Sequence, residues 1–314
     1  MLKRPCPLKK GDLVALAAPS SPVPASVLEK SVRSIRFLGL EPVVMPGCKM
    51  VHGYLSGPDA QRAQDLNRAF ADPSIKGIFC LRGGFGASRI LPLLDFSMIS
   101  ANPKVFVGYS DITALHLAFN KLCGFLTFHA PMPNTSYSRL DSYSLSSLRQ
   151  NLFSSEPAGI VKNPPGESLE VIVPGTASGE VTGGNLSLIQ GTLGSPYEID
   201  TRGKILFLED VGERPYRLDK ALTALSLAGK FRDCCGILLG TFTECEEPDE
   251  TSVPAGTKIS DSTLSIRQII KEVIEPWKKP ALFNFRAGHI FPQATIPLGE
   301  ELFFDTASSA VRFG

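Results

Sequence analysis

The sequence has almost no net charge and no long apolar run. Its 314 residues include 32 Lys and Arg against 31 Asp and Glu, which gives a formal net charge of +1. A chain so close to neutrality has no overall electrostatic field that would attract nucleic acid or a membrane surface. No apolar stretch approaches the length of a transmembrane helix. We therefore expect no nucleic-acid partner and no membrane partner.

Patterns for metal binding and disulfide formation are also missing. The seven cysteines are scattered, Cys234 and Cys235 are adjacent, and the sequence contains no C-x-x-C pair and no H-E-x-x-H motif. These absences argue against a disulfide framework and a metal site, and they favour a reducing cytoplasm. The apolar stretch from Leu13 to Ala18 is too short for the core of a signal peptide. It predicts a first β-strand instead.

No nucleotide-binding motif is complete. The loop from Arg82 to Ala87 supplies the first two glycines of G-x-G-x-x-G, but Arg89 occupies the place of the third. The next apolar run, Val105 to Val107, does not end in an acidic residue, and no P-loop occurs. We therefore expect no cofactor. The glycines would let a reacting carbonyl approach the backbone closely, unless the loop is only a tight turn.

The first part of the chain alternates strand and helix patterns. With 43% apolar and 20% charged residues, the composition is that of a globular protein of about two domains. The alternation predicts a parallel sheet with helices on both faces, which binds ligands beyond the carboxyl ends of its strands. Ser20 and Ser21 are predicted to cap the first helix. The predicted strands are residues 13–18, 41–45, 75–81 and 105–107.

The second part of the chain has a different pattern. Residues 131–165 are rich in Ser, Pro and Asn, which indicates an interdomain linker with one short helix near 145–152. The sequence then becomes β-rich, with predicted helices at 186–193, 217–228 and 266–274. We predict an N-terminal α/β domain at 1–130, this linker, and a C-terminal β-rich α/β domain at 166–314.

Ser110 lies between a predicted strand and a predicted helix. The run Val105 to Val107 is followed by Gly-Tyr-Ser, and a helical pattern begins at once. In acyl-transfer enzymes such a corner exposes a serine nucleophile, and the first amides of the helix are free to bind an oxyanion. However, Ile112 replaces the second glycine of G-x-S-x-G. The local sequence favours a second interpretation, in which Ser110 caps the helix and Asp111 lies in its first turn.

A serine nucleophile needs a base, and the chain has four histidines. His116 follows Ser110 by about one and a half helical turns and therefore faces largely away from it. His52 lies in an early loop. His129, at the end of a short predicted strand, and His289, in a Gly-His pair just before a proline, are both candidates.

The imidazole of a catalytic histidine also needs a carboxylate to orient it. Glu209 and Asp210 end the apolar run at 205–208, and Glu213 follows in the next loop. A carboxylate at the end of a buried strand is costly unless it is solvated, paired or functional. All three are candidates, although Glu213 could simply pair with a neighbouring arginine.

Six segments together resemble the LD-carboxypeptidases, serine peptidases that trim murein tetrapeptides, and their relatives the microcin C immunity peptidases. They follow the family's order and cover most of the chain. The segments are VALAAPSSP, GIFCLRGGFGASRILPLLDF, VFVGYSDITALHLAF, FHAPM, GGNLSLIQGTLGSPYEIDTRGKILFLEDVGERPYRLDKAL and FRAGHIFPQATIPLG.

The resemblance implies a fold and a site. The fold is an N-terminal flavodoxin-like or amidotransferase-like parallel-sheet domain with a swivelling C-terminal β-rich α/β domain, in a homodimer. The site has Ser110 as nucleophile, Glu209 as the orienting acid and His289 as general base, with an oxyanion hole from the backbone amides of Asp111 and Gly84. The implied reaction releases D-alanine from murein tetrapeptides during peptidoglycan recycling, through an acyl-enzyme and without a cofactor.

Arg82, beside the glycine loop, is a candidate for binding the terminal carboxylate of such a substrate, because arginine binds carboxylates bidentately. A structural salt bridge is the alternative. The sequence does not decide whether diaminopimelate or lysine is preferred in the muropeptide.

Two other functions compete with murein hydrolysis. The immunity peptidases cleave sulfamoyl- and phosphoramide-linked adenylates, and the resemblance gives them a tryptophan in the interdomain loop that stacks on the nucleobase. Here Trp277 is the only tryptophan, which favours the murein substrate, although Tyr137, Tyr143 or Phe153 could stack instead. The third function is a module that binds a muropeptide or nucleotide without turnover, against which the complete set of catalytic residues argues.

Overall fold

The computed structural model describes residues 2–246, 264–308 and 310–314. The strands are β1 (Leu13–Ala17), β2 (Glu41–Val44), β3 (Ile75–Cys80), β4 (Val105–Gly108), β5 (Thr127–His129), β6 (Gly159–Val161), β7 (Glu170–Val173), β8 (Thr176–Asn185), β9 (Ile205–Val211), β10 (Gly236–Thr243), β11 (Ala281–Phe283), β12 (Ile296–Leu298), β13 (Glu301–Asp305) and β14 (Val311–Phe313). The helices are α1 (Ala25–Phe37), α2 (Asp59–Ala71), α3 (Ala87–Ile90), α4 (Phe96–Ala101), α5 (Thr113–Ala118), α6 (Ser142–Phe153), α7 (Leu186–Gly191), α8 (Pro215–Leu227), α9 (Lys230–Asp233) and α10 (Ile266–Ile274).

The first sheet is almost entirely parallel. Among the described residues it has six strands in the order β12-β5-β4-β3-β1-β2. The five strands from β1 to β5 are parallel neighbours, and their order is that of flavodoxin-like folds. The prediction of an N-terminal α/β sheet is therefore confirmed. β12 pairs antiparallel with β5, so a late segment of the chain completes this sheet.

The second sheet mixes parallel and antiparallel strands. In the described part of the chain its order is β6-β14-β13-β8-β9-β10-β11-β7. The four central strands β8 to β11 are parallel, and the flanking strands are antiparallel. This arrangement confirms the predicted β-rich α/β character of the second region. Asn185, at the end of β8, lies opposite Glu209 on β9.

Helix α5 lies between the two sheets. All six of its residues are buried, because the helix contacts both β5 and β8. A helix that is apolar on every side is buried on every side, and the sequence TALHLA fits this position. The turn before α5 is therefore placed where the two halves of the molecule meet.

Two local predictions about helix caps are wrong. α1 begins at Ala25, and neither Ser20 nor Ser21 caps it, because the N-cap position is Pro24 and no side chain caps the helix. The Ser20 hydroxyl donates to Asp111 instead.

None of the helices in the described ranges is both long and apolar enough to span a membrane.

Candidate active site

Ser110 lies in a strained turn at the end of β4. Its φ is 66°, in the left-handed region, which costs a residue with a Cβ roughly 1–2 kcal/mol. Residues with strained backbone conformations are enriched at functional sites. Tyr109, not Ser110, is the N-cap residue of the turn, and the Ser110 hydroxyl bonds to none of the residues that the structure describes. The capping interpretation of Ser110 is therefore wrong, and the hydroxyl is left available.

The glycine loop packs directly against Ser110, but through Gly83. A Cβ placed on Gly83 would lie 2.9 Å from Ser110 Oγ and 3.4 Å from the backbone nitrogen of Asp111. The corresponding position on Gly84 faces the Ser21 side chain instead. The Gly83 carbonyl accepts a hydrogen bond from the Ser21 amide at 3.3 Å. In a trans peptide the next amide points the opposite way, so the Gly84 N–H is directed away from Ser21.

The Asp111 side chain joins the turn to the glycine loop. Its Oδ2 accepts hydrogen bonds from Ser20 Oγ at 2.5 Å and from the Ala87 amide at 2.8 Å. The side chain is fully buried, and burial raises its pKa despite these bonds. Arg62, also buried, donates to the Gly86 carbonyl at 2.8 Å from the other side. These contacts fix the loop relative to Ser110, and no local sequence pattern predicts them.

Glu209 and His289 form a hydrogen-bonded pair. Glu209 is fully buried near the end of β9, and its Oε2 lies 2.7 Å from Nδ1 of His289. His289 follows Gly288, whose φ is 114° and whose missing side chain makes room for the carboxylate. A Cβ on Gly288 would lie 2.7 Å from Glu209 Oε2. The imidazole is 17% exposed, so its other nitrogen can be reached by a ligand.

This pair lies next to the Ser110 turn. The rings of Tyr109 and His289 are 4.7 Å apart between centroids, and the Asn185 amide donates to Thr113 Oγ1 at 3.0 Å across the two regions. The structure therefore brings Ser110, Glu209 and His289 to one place. In the described structure no hydrogen bond joins Ser110 directly to His289. Such bonds are often long in unliganded enzymes and shorten when substrate binds.

The electrostatics of the pair suit a base. Burial lowers the pKa of His289, but the hydrogen bond and the charge of Glu209 outweigh burial and raise it above its ordinary value. Burial raises the pKa of Glu209, and the His289 contact opposes this increase. Burial, together with the Glu209 charge, raises the pKa of Tyr109 to about 12, so the phenol stays neutral beside them.

The other histidines occupy different environments. His116 is buried and bonds the Gly108 carbonyl through Nε2 at 2.9 Å, and burial lowers its pKa to about 4. His129 is also fully buried, and neither ring nitrogen has a partner among the described residues. Burial depresses its pKa far below the ordinary value. His52 is exposed in its loop. Of the four, His289 alone combines a carboxylate partner with partial exposure.

The other two candidate acids, Asp210 and Glu213, and the candidate carboxylate-binding residue Arg82 each have a different environment. Asp210 accepts hydrogen bonds from Asn185 Nδ2 and from the amide and hydroxyl of Ser187, so it supports the start of α7. Glu213 lies 3.5 Å from Arg217, the ion pair expected as its alternative role. Arg82 is partly buried and makes no ion pair with the described residues. The salt-bridge alternative for Arg82 is therefore not realised here.

Comparison with known proteins decides the family. The family model of the LD-carboxypeptidase N-terminal domain matches residues 14–130, and that of the LD-carboxypeptidase C-terminal domain matches residues 178–302. The chain belongs to the LD-carboxypeptidase family. The resemblance carried by the six sequence segments is thereby confirmed.

Relatives in the LD-carboxypeptidase family match along nearly the whole chain. A probable murein peptide carboxypeptidase of Bacillus subtilis is 40% identical over 306 residues, covering 97% of this chain and 92% of the relative. The murein tetrapeptide carboxypeptidase of Pseudomonas aeruginosa is 34% identical over 302 residues, covering 91% of each chain.

The microcin C7 self-immunity protein MccF of Escherichia coli is also similar. It is 28% identical over 337 residues, covering 95% of this chain and 92% of the relative. The solved wild-type apo structure of MccF matches with a TM-score of 0.84 at 25% identity, covering 100% of this chain and 98% of that one. The two-domain α/β fold that the LD-carboxypeptidase resemblance implies is therefore confirmed.

Proposed function

We propose that this peptidase is a serine carboxypeptidase that cleaves the L,D-peptide bond of murein tetrapeptides and releases terminal D-alanine. The observation that carries the proposal is the buried 2.7 Å contact between Glu209 and His289, placed beside the strained turn that presents Ser110. Two relatives named as murein peptide and murein tetrapeptide carboxypeptidases support the substrate class. A role in peptidoglycan recycling in the cytoplasm is part of the same proposal.

The proposed mechanism is acyl transfer. His289 takes the proton of Ser110 Oγ as this oxygen attacks the carbonyl carbon on the L-centre of the third residue. Glu209 accepts the hydrogen bond from Nδ1–H of His289, so it fixes the tautomer and stabilises the imidazolium. The imidazolium then gives its proton to the leaving amine of D-alanine. Water then attacks the acyl-enzyme while His289 takes a proton from it. The imidazolium gives this proton to Ser110 Oγ as the ester bond breaks, which regenerates Ser110.

The oxyanion formed in this reaction needs donors. The amides of Asp111 and Gly84 are the proposed pair, and one such donor is typically worth about 2.7–4 kcal/mol of the barrier. The contact of Gly83 with Ser110 supports this assignment, because it brings the loop within van der Waals distance of the nucleophile. Arg82, which precedes these glycines and has an unpaired guanidinium among the described residues, is proposed to bind the terminal carboxylate of D-alanine.

The decisive experiment measures free D-alanine. Purified protein is incubated with L-Ala-γ-D-Glu-meso-diaminopimelate-D-Ala, and the Ser110→Ala variant is tested in parallel. Release by the wild type that disappears in the variant supports the proposal. Binding of the tetrapeptide without release would reject catalysis and favour the non-catalytic module.

The adenylate substrate of the immunity peptidases is the alternative, and the similarity to MccF keeps it in the test. The positions of Tyr137 and Trp277 argue against it, whereas Tyr143 and Phe153 are half-buried against hydrophobic clusters. Tyr137 is fully buried, and its hydroxyl donates to the Pro131 carbonyl at 2.8 Å, so it cannot stack on a base. Trp277 packs beside the C-terminal core and bonds Ser226. Cleavage of an aminoacyl sulfamoyl adenylate without D-alanine release would reverse the assignment.

A homodimer is the proposed assembly. The family resemblance is its basis. Sedimentation equilibrium of the purified protein tests it, and a mass of one chain at micromolar concentration would reject it.

A further inference from the structure

A groove of about 510 Å³ opens beside the loop that carries His289. It is lined by α1, by the start of the linker and by the loop after His289. The lining residues that matter here are Lys30, Thr135, Ser136, Arg139, Phe291 and Pro292.

The groove lies close to the catalytic pair. Phe291 follows His289 by two residues, so their Cα atoms are at most about 7.6 Å apart. Across the groove, the Tyr137 amide donates to Ser34 Oγ at 3.2 Å and holds the turn that carries Arg139 against α1. Ser34 is one helical turn after Lys30, which places Lys30 on the same face of α1 as this turn. Both cations therefore line a groove that also contains Phe291, two residues after His289.

The net charge of the groove lining is positive, because it contains Lys30 and Arg139 against the single acid Asp141. Neither Lys30 nor Arg139 makes an ion pair or a side-chain hydrogen bond with any residue that the structure describes. The one acid in the lining, Asp141, is engaged as the N-cap of α6. Its two oxygens accept from the Ser144 amide at 2.8 Å and the Ser144 hydroxyl at 2.6 Å. An anionic ligand would thus meet two unpaired cations.

The opposite wall is apolar. Phe291 is 42% exposed, and Pro292 lies beside it in the groove lining. A ligand that fits the groove therefore combines a short apolar stem with a carboxylate. The γ-linked D-glutamate of the proposed substrate has this chemistry, since two methylenes separate its γ-amide from the carbon that bears its free α-carboxylate.

We propose that this groove binds the D-glutamyl α-carboxylate of the tetrapeptide, with Lys30 and Arg139 as its cationic partners. The inference rests on the proposed function. In an extended substrate this carboxylate lies about seven bonds, or roughly 8–9 Å, from the scissile carbonyl carbon. Phe291, whose Cα is at most about 7.6 Å from that of His289, lies within this span. The subsite distinguishes acidic stem peptides from those whose glutamate is amidated.

The test compares two substrates and two proteins. The substrates are the tetrapeptide with D-glutamate and the same peptide with D-isoglutamine, its α-amide. The wild type should prefer the acid by about tenfold or more in kcat/KM, mainly through KM, as for a charge-assisted hydrogen bond. The Lys30→Gln/Arg139→Gln variant should lose this preference, with kcat on the acid little changed. The control is Arg36→Gln, which removes one positive charge near the end of α1, at a residue that faces Glu41 rather than the groove.

A binding measurement separates this inference from the proposed function. Calorimetry with Ser110→Ala protein, with and without the Lys30→Gln/Arg139→Gln pair, measures the affinity for acid and amide without turnover. If the wild type releases no D-alanine but the Ser110→Ala protein still prefers the acid, the function fails and the subsite stands. If D-alanine is released but acid and amide are treated alike, the subsite fails and the function stands. A double variant that keeps the preference, or a protein that binds neither peptide, also overturns the subsite.

Discussion

At the scale of single residues, the pKa of His289 links the structure to activity. Glu209 raises this pKa above its ordinary value of 6.5, against the effect of burial. Because the proposed base must be neutral, kcat/KM should fall as the pH drops through this raised pKa. In Glu209→Gln the charge is lost and burial dominates, so the acidic limb should move to lower pH. The variant should also lose about 10²–10⁴ in kcat, because the imidazolium is no longer stabilised.

A pH profile of kcat/KM for both proteins checks this expectation, since that ratio reports groups of the free enzyme. Glu213→Gln is the matched control, because Glu213 lies four residues further along the chain and pairs with the exposed Arg217. An acidic limb that stays in place in Glu209→Gln would show that His289 is not the titrating base.

Arg82 offers a second test at this scale. If its unpaired guanidinium binds the terminal carboxylate of the substrate, the contact exists before and during the reaction. Arg82→Ala should therefore raise KM by about tenfold to a hundredfold and change kcat much less. Steady-state kinetics with the tetrapeptide measures both constants, and Arg89→Ala, at an exposed arginine paired with Asp59, is the control. An unchanged KM would remove Arg82 from the site.

The backbone of Ser110 makes a prediction about stability. A φ of 66° is strained for serine and alanine but not for glycine. Ser110→Gly should therefore be more stable than Ser110→Ala by about 1 kcal/mol, although both lack the hydroxyl. Urea unfolding of the two variants measures the difference. Equal stability would mean that the turn relaxes in solution and stores no strain.

At the scale of elements, the glycine loop must approach the nucleophile closely. A Cβ on Gly83 would lie 2.8 Å from Ser110 Cβ and 2.9 Å from its Oγ, so Gly83→Ala must displace one of the two segments. Displacements of about 1 Å can cost 10²-fold in rate, and we expect a loss of at least this size in kcat. Gly83 does not have a positive φ, so the backbone itself adds no strain.

The control for this prediction is Gly191→Ala, at the end of α7. Gly191 also lacks a positive φ, and a Cβ there would meet nothing within 4 Å. Its kcat should stay within about twofold of the wild type, as for a surface substitution. A Gly83→Ala enzyme with normal kcat would show that the loop does not contribute to the oxyanion site.

The elements themselves were largely predictable, and the contacts between them were not. The run at 205–208 gives the core of β9 because apolar residues buried on both faces leave a continuous pattern. Ser20 resembles a helix cap by local rules, yet its hydroxyl bonds Asp111, 91 residues away in sequence. The glycine loop is visible as a motif. Which glycine faces Ser110 depends on the direction of the backbone, and this direction is fixed by Asp111 and Arg62 from outside the loop.

At the scale of the whole molecule, the proposed site requires two distant parts of the chain to meet. Ser110 follows a strand of the first sheet, whereas Glu209 and His289 belong to the second region. β12, which comes just after His289, pairs with β5 of the first sheet and thereby fixes the His289 loop from one side. No hydrophobic pattern in so short a strand predicts which sheet it joins. The position of the base relative to the nucleophile is therefore a property of the whole fold.

The ion pair between Arg4 and Glu300 also connects distant parts of the sequence, because it joins the start of the chain to the turn after β12. The Glu300 side chain is only 11% exposed, and burial raises its pKa although Arg4 lowers it. Arg4→Ala would leave the carboxylate with little solvent and no charge partner, so stability at neutral pH should fall by about 2–4 kcal/mol. The loss should shrink as the pH falls, because protonation removes the uncompensated charge. Urea unfolding at two pH values measures this loss of stability, and Arg4→Ala/Glu300→Gln should recover part of it at neutral pH.

The control is Arg202→Ala, which breaks an exposed pair with Asp200 and should lower the free energy of unfolding by less than about 1 kcal/mol. If Arg4→Ala is equally mild, the pair does not hold the two regions together.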